Sequence, residues 1–190
     1  MTAQHNVMKK DHVCPWWMAY TFDNPLRRLF HKPRKMLGPY VHEDMTVMDV
    51  GCGMGYFSIA MAKMVGDGGR VIAVDLQQKM LNIMLRRAER AGVADRIQAH
   101  LCAPRDIGLN GQVNFVLAFW MVHEVPDRMA FFGQLASNMT RKGRLFVAEP
   151  KFHVSLSTFQ EIIMAARSTG LSVNATPDVR FSHSAIFIKH

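Results

Sequence analysis

Residues 46–55 read Thr46-Val47-Met48-Asp49-Val50-Gly51-Cys52-Gly53-Met54-Gly55, a short apolar run that dissolves into three alternating glycines. The run has the length and side-chain type of a buried strand, and the stretch at 56–64 continues it as a helix. A strand that turns through glycines straight into a helix restricts the chain more than any other feature. It implies a parallel α/β sheet with a ligand-binding turn at the strand's carboxyl end. Glycine tolerates positive φ and, lacking Cβ, lets a ligand come close to the backbone. The helix that follows directs N–H groups at an anionic end of that ligand. Tyr56 stands where a GxGxxG motif has its third glycine, so the pattern is GxGxG with Asp49 just before it.

The rest of the chain from Met45 onward alternates short apolar runs with longer amphipathic ones. Strands are predicted at 70–75, 97–101, 113–119 and 144–149, with helices at 77–91, from Pro126 to about 139, and at 158–169. Pro126 suits the first turn of its helix, and Arg141-Lys142-Gly143 reads as the turn into the fifth strand. The run at 113–119 is apolar almost throughout, as a strand covered on both faces should be. Two last strands at 171–175 and 181–188 are too close in sequence for a helical crossover, so they should pair antiparallel. The expected fold is a Rossmann-like three-layer α/β sandwich on a seven-stranded, mostly parallel sheet whose last strand is antiparallel.

Asp75 ends the second predicted strand. A carboxylate there can accept hydrogen bonds from both hydroxyls of a ribose, so the ligand should carry a nucleoside. Asp75 would serve NAD equally well, and capping the next helix is its plainer role.

Residues 1–44 differ in character. Cys14-Pro15-Trp16-Trp17-Met18-Ala19-Tyr20 is aromatic, and Pro15, Pro25, Pro33 and Pro39 interrupt the segment. Short helices are expected, the last at 35–40, packed as a lid over the carboxyl edge of the sheet formed by 45–190. The segment is too small to hold a core of its own.

Charge and cysteine usage bound the function. The net charge of +8 raises a nucleic-acid reading, but the basic residues are scattered, and 27–35 is the densest group. Cys14, Cys52 and Cys102 are far apart with no Cys-x-x-Cys, which argues against a disulfide framework and a zinc ribbon; no metal is expected. The N-terminus lacks the apolar stretch of a secretory signal and no apolar run is fit to span a bilayer, so the cytoplasm is the expected compartment.

Taken together, Val47-Met48-Asp49-Val50-Gly51-Cys52-Gly53-Met54-Gly55-Tyr56-Phe57 resembles motif I of the class I S-adenosylmethionine-dependent methyltransferases, of the small type 11-like kind. Val71-Ile72-Ala73-Val74-Asp75 resembles their acidic second-strand end. Residues 116–125 and 143–150 resemble their fourth strand with its loop and their fifth strand. The resemblance implies S-adenosylmethionine as cofactor and S-adenosylhomocysteine as product. It sets Gly51, Cys52, Gly53 and Gly55 along the methionine part, Asp49 near its amino group, Asp75 on the ribose and Leu76 beside the adenine. Cys102 and Ala103 match the adenine edge. No acidic residue occurs at 102–104, so Asp106 or the backbone would serve the adenine amino group. Ala118 and Phe119 match the floor beside the methyl donor.

Methyl transfer from a sulfonium is an in-line displacement, and a general base is needed only when the nucleophile carries a proton. Candidate groups follow the carboxyl ends of the strands: His123 and Glu124 after the fourth, Lys151 and His153 after the fifth, with His12, Cys14, Trp16, Trp17 and Tyr20 from the N-terminal segment. His123 and Glu124 are the catalytic candidates, against the plainer reading that they order the loop before a helix. The absence of Asn-Pro-Pro-Tyr after the fourth strand argues against exocyclic-amino substrates, and a small-molecule acceptor is favoured over nucleic acid. A metalloid acceptor is a sub-case raised by the three cysteines. The alternatives are an NAD(P)-dependent oxidoreductase and a non-catalytic S-adenosylmethionine-binding module that docks RNA or a membrane through 27–35. The sequence leaves the oligomeric state open.

Overall fold

The computed structural model describes residues 30–190. The elements that carry the fold are β1 (Thr46–Val50), β2 (Arg70–Asp75), β3 (Ile97–Leu101), β4 (Val113–Phe119), β5 (Met139–Pro150), β6 (Leu171–Ala175) and β7 (Ser182–Lys189). The helices are α1 (Pro33–Leu37), α2 (Tyr56–Val65), α3 (Gln78–Arg90), α4 (Arg128–Asn138) and α5 (Leu156–Arg167). The strands form one seven-stranded sheet in the order β3-β2-β1-β4-β5-β7-β6. The five strands from β3 to β5 are parallel, and β7 runs antiparallel between β5 and β6.

Alternation along the central strands builds both faces. Met48 and Val50 of β1 and Val116 and Ala118 of β4 share a core with Phe132 and Leu135 of α4 and Phe159 and Ile162 of α5. Their neighbours Val47, Phe115, Leu117 and Phe119 point the other way, onto Phe57 and Met61 of α2, Leu81 and Met84 of α3 and Leu37 of α1. Phe115, Phe132, Phe146 and Phe187 are fully buried, each contributing about 1.5–3 kcal/mol of burial. Tyr40 stacks on Phe115 and meets Phe146 edge-on, which fastens residues 33–41 to the sheet.

Three boundaries differ from expectation for local reasons. Pro126 lies outside α4, because Asp127 caps that helix by accepting from the Ala130 N–H at 3.0 Å. α5 starts earlier than predicted, capped by Ser155 on the Thr158 N–H. β5 begins at Met139 rather than Arg144. Val113 pairs with Met139 while Phe115 pairs with Arg144, so the basic turn survives as an excursion within the strand, with Lys142 at φ 65°.

The chain order reverses between β1 and β4, which lie side by side while β2–β3 and β5–β7–β6 extend to opposite sides. The loops leaving β1 and β4 therefore part, and a crevice opens at the carboxyl edge of the sheet.

Candidate functional site

That crevice is a cleft of about 750 Å³ lined by the loops after β1, β2, β3, β4 and β5. Asp49, Gly51, Cys52, Gly53, Asp75, Leu76, Cys102, Ala103, Phe119, His123 and Glu124 all line it. Residues far apart in sequence are thus brought to one cleft.

The glycine loop spends four of its backbone donors on the protein. The N–H groups of Gly51 and Cys52 both donate to the Val74 carbonyl, and the Gly55 N–H donates to Cys52. The Gly53 N–H donates to Asp75 Oδ2 at 2.9 Å. What the loop offers a ligand is therefore space. Gly53 has φ +53°, and a Cβ placed on it would meet nothing within 4 Å. Gly51 is different, since a Cβ there would come 2.9 Å from Met121 Cγ. Gly55 begins α2 with φ +81°, and its missing Cβ leaves room for Met84 rather than for the cleft.

Asp75 is buried at the cleft wall and holds the loop's shape. Its Oδ1 accepts from the Gln77 N–H while Oδ2 accepts from Gly53. Burial raises its pKa above the usual carboxylate value, opposed by the amides of Gln77, Gly53 and Leu76. Each oxygen keeps a further lone pair for a hydroxyl donor. Asp49 is buried beneath the loop and accepts from Ser58 Oγ at 2.5 Å.

Both described cysteines reach the cleft as protonated thiols. Burial pushes Cys52 well above its ordinary value, reinforced by Asp49 and Asp75. Burial followed by Asp75 raises Cys102 to about 11. Beyond Cys102 the chain turns back with a pair of backbone hydrogen bonds between Ala103 and Asp106. Asp106 Oδ1 accepts from the Gly108 N–H, and Gln134 of α4 holds this loop through Arg105 and Ile107.

The opposite end of the cleft is aromatic and ionisable. Trp120, at φ 60°, takes a backbone conformation that is an outlier for a bulky residue. It is fixed there by its N–H to the Ala148 carbonyl and by Nε1 to Ser182 Oγ. Its ring stacks on Phe119 and meets Phe152 edge-on. Next to it, Glu149 is fully buried at the end of β5. Its Oε1 accepts from the N–H groups of Met121 and Val122, and Oε2 from the His123 N–H. Oε2 also meets His123 Nδ1 at 2.5 Å. His123 Nε2 lies 3.9 Å from Glu124 Oε1, and the His153 ring centre is 4.8 Å from that of His123.

Ala118 is buried in the core below the cleft rather than on its wall. His12, Cys14, Trp16, Trp17, Tyr20 and, of the basic group at 27–35, Arg27 and Arg28 lie outside the described residues, as does the greater part of the expected lid at 1–44. Sequence reasoning did not single out Glu149, Trp120, Met121 or Phe152 as site residues. The available signal for Glu149 was its place as an ionisable residue ending a strand that is otherwise apolar from Leu145 to Ala148. Among the described residues no group of three or more His, Cys, Asp or Glu is arranged to hold a metal, and no helix is long and apolar enough to cross a membrane.

A family profile described as a methyltransferase domain matches residues 41–177. Over 95% of the chain and 75% of the relative, the sequence is 26% identical to a ubiquinone biosynthesis O-methyltransferase of Colwellia psychrerythraea. It is 34% identical over 56% of the chain to a ribosomal protein L11 methyltransferase of Aeromonas hydrophila, of which it covers 36%. The chain spans only 26% to 36% of the length of several curated relatives it matches. The crystal structure of a SAM-dependent methyltransferase from Aquifex aeolicus superposes with a TM-score of 0.84 at 22% identity, over 93% of this chain and 99% of that one.

Proposed function

The chain belongs to the family of class I S-adenosylmethionine-dependent methyltransferase domains, and on that premise we propose that it transfers a methyl group to a small organic acceptor. The cofactor is S-adenosylmethionine, which supplies a methyl group on a sulfonium sulfur. Membership in this family displaces the nicotinamide-dependent alternative. The observation that carries the reading is the division of one cleft into two chemically distinct ends.

The donor end fits the cofactor on two counts. Gly53 leaves open space where any side chain would intrude, and Asp75 presents a buried carboxylate with lone pairs to spare. In this reading Gly51, Cys52 and Gly53 flank the methionine part, with Asp49 bracing the loop from below through Ser58. Asp75 takes the ribose, Leu76 lies beside the adenine, and Cys102 and Ala103 border its edge. Gly55 and Ala118 act indirectly, by letting α2 pack on Met84 and by filling the core under the floor that Phe119 forms.

Trp120, His123, Glu124, Phe152 and His153 form the acceptor end. His123 is the base where the acceptor carries a proton, with Glu124 beside it. A cleft of this size suits a cofactor and a small partner together, which supports a small molecule over a folded protein as acceptor. The thiols of Cys52 and Cys102 are consistent with a cytoplasmic setting.

The test is transfer of labelled methyl from S-adenosylmethionine, with the purified protein and a cell extract split into small-molecule and protein fractions. Label in the small-molecule fraction is expected. Label confined to a protein or RNA would overturn the acceptor class, and cofactor binding without any transfer would favour a non-catalytic module.

A further inference from the structure

We propose that Glu149 is a positioning residue that fixes the tautomer of His123, and that the acceptor therefore presents a phenol-type hydroxyl on a planar apolar ring. The proposal rests on the methyl-transfer reading above and names its acceptor chemistry.

Four contacts converge on Glu149: three successive backbone N–H groups, of Met121, Val122 and His123, donate to it, and the His123 ring meets it at Nδ1. A carboxylate has about four lone-pair sites, and the three amides take three of them. With three amides already donating to it, Glu149 acts as an acceptor-only carboxylate in this proposal, which places the hydrogen of the fourth contact on His123 Nδ1. In the neutral imidazole Nε2 is then bare. The carboxylate is fully buried behind the turn, so the Nε2 edge is the one the ring can present to the cleft it lines. The arrangement has the parts of a general base: a lone pair at the site, and a buried anion behind it that stabilises the imidazolium formed when the lone pair takes a proton.

The charged and titratable groups around the ring bear on its proton. Glu149 approaches from β5, Glu124 from the ring's own turn and His153 from the loop after β5.

A histidine base selects its acceptor by acidity. A neutral imidazole takes a proton more readily from a phenol hydroxyl, whose ordinary value is about 10, than from less acidic hydroxyls. An aliphatic hydroxyl is far less acidic, and a thiol ionises with little help. The ring that carries the hydroxyl is suggested by Trp120, Phe119 and Phe152, whose faces and edges suit a planar apolar partner. In the reaction a lone pair on the acceptor oxygen forms the new bond to the methyl carbon. The carbon–sulfur bond breaks with its electron pair going to sulfur. The hydroxyl proton passes to His123 Nε2, and the imidazolium, held against Glu149, later releases it to solvent.

Glu149→Gln and His123→Gln test the proposal on a series from phenol to 4-nitrophenol, with benzylamine as the nitrogen comparison. For phenol, either variant should lower kcat/KM about 10²- to 10⁴-fold. For 4-nitrophenol, whose hydroxyl is already about half ionised near neutral pH, the loss should shrink to less than about tenfold. The loss for phenol should also lessen as pH rises, which a purely structural role would not produce. Nitrogen NMR of the wild-type protein without cofactor should find the hydrogen on Nδ1 of His123, and Glu149→Gln should move it to Nε2. Unchanged S-adenosylhomocysteine affinity in both variants separates this proposal from the cofactor reading. Equal losses across the phenol series, a wild-type hydrogen on Nε2, or turnover of benzylamine but no phenol would overturn it.

Discussion

Gly53 and Gly55 lie two residues apart in one loop, both with positive φ, yet their alanine variants should fail in opposite ways. At Gly53 the cost to folding is the left-handed backbone alone, about 1–2 kcal/mol, since no atom lies within 4 Å of the new Cβ. The same methyl group occupies space assigned to the cofactor, so S-adenosylhomocysteine should bind at least tenfold more weakly, about 1.4 kcal/mol. At Gly55 the backbone cost of about 1–2 kcal/mol recurs, and the new Cβ falls 2.4 Å from Met84 Cγ and 3.2 Å from its Cβ. Met84 is fully buried, so relief must come from repacking, at about 1–3 kcal/mol. Gly55→Ala should therefore lose about 2–5 kcal/mol of stability while the folded fraction binds within about threefold of wild type. Urea unfolding read beside calorimetric titration separates the two effects. A Gly53→Ala protein that binds normally, or a Gly55→Ala protein that folds normally but binds poorly, would refute the division of labour in the loop.

Asp75 has a raised pKa from burial, so its contribution to folding is fully present below the unfolded value and is lost as pH rises through the folded one. Ribose hydroxyls favour its ionised form, so S-adenosylhomocysteine affinity should fall on acidification at a pH above the usual carboxylate range. Asp75→Asn should flatten that dependence in titrations across pH. Cys102, moved from 9.0 to about 11, should hold about a hundredfold less thiolate at pH 8 than an unshifted thiol. Its alkylation by iodoacetamide, followed by peptide mass spectrometry, should be slower by that factor, and a rate like that of a free thiol would contradict the burial. Ser58→Ala removes the hydroxyl that donates to buried Asp49 and should cost about 1–3 kcal/mol in urea unfolding.

The donor half of the site was legible in the sequence because it is local. Asp49, Gly51, Cys52 and Gly53 belong to one strand-and-turn, and Asp75 ends the strand paired beside it, so strand order alone brings them together. The number of strands and the antiparallel β7 followed from run lengths and from the short link between β6 and β7. Helix starts were less legible, because Asp127 and Ser155 take the capping role one or more residues from where the apolar pattern begins. The acceptor half depends on tertiary placement. Glu149 meets His123 only because β5 pairs with β4 in a register that sets Ala148 beside Phe119 and carries Glu149 under the following turn. No spacing in the sequence encodes that contact. The φ of Trp120 was likewise invisible, since nothing in the residue type favours it. The inward turn of the loop's own amides was also invisible, since the Val74 carbonyl, Asp75 and the Cys52 carbonyl that consume four of them are set by tertiary placement.

The central claim is that one cleft holds S-adenosylmethionine through Gly53 and Asp75. Calorimetric titration of the intact protein with S-adenosylhomocysteine tests it most directly. One-to-one binding that Asp75→Asn weakens at least about tenfold is the predicted result. No heat of binding, or binding indifferent to Asp75, would contradict it.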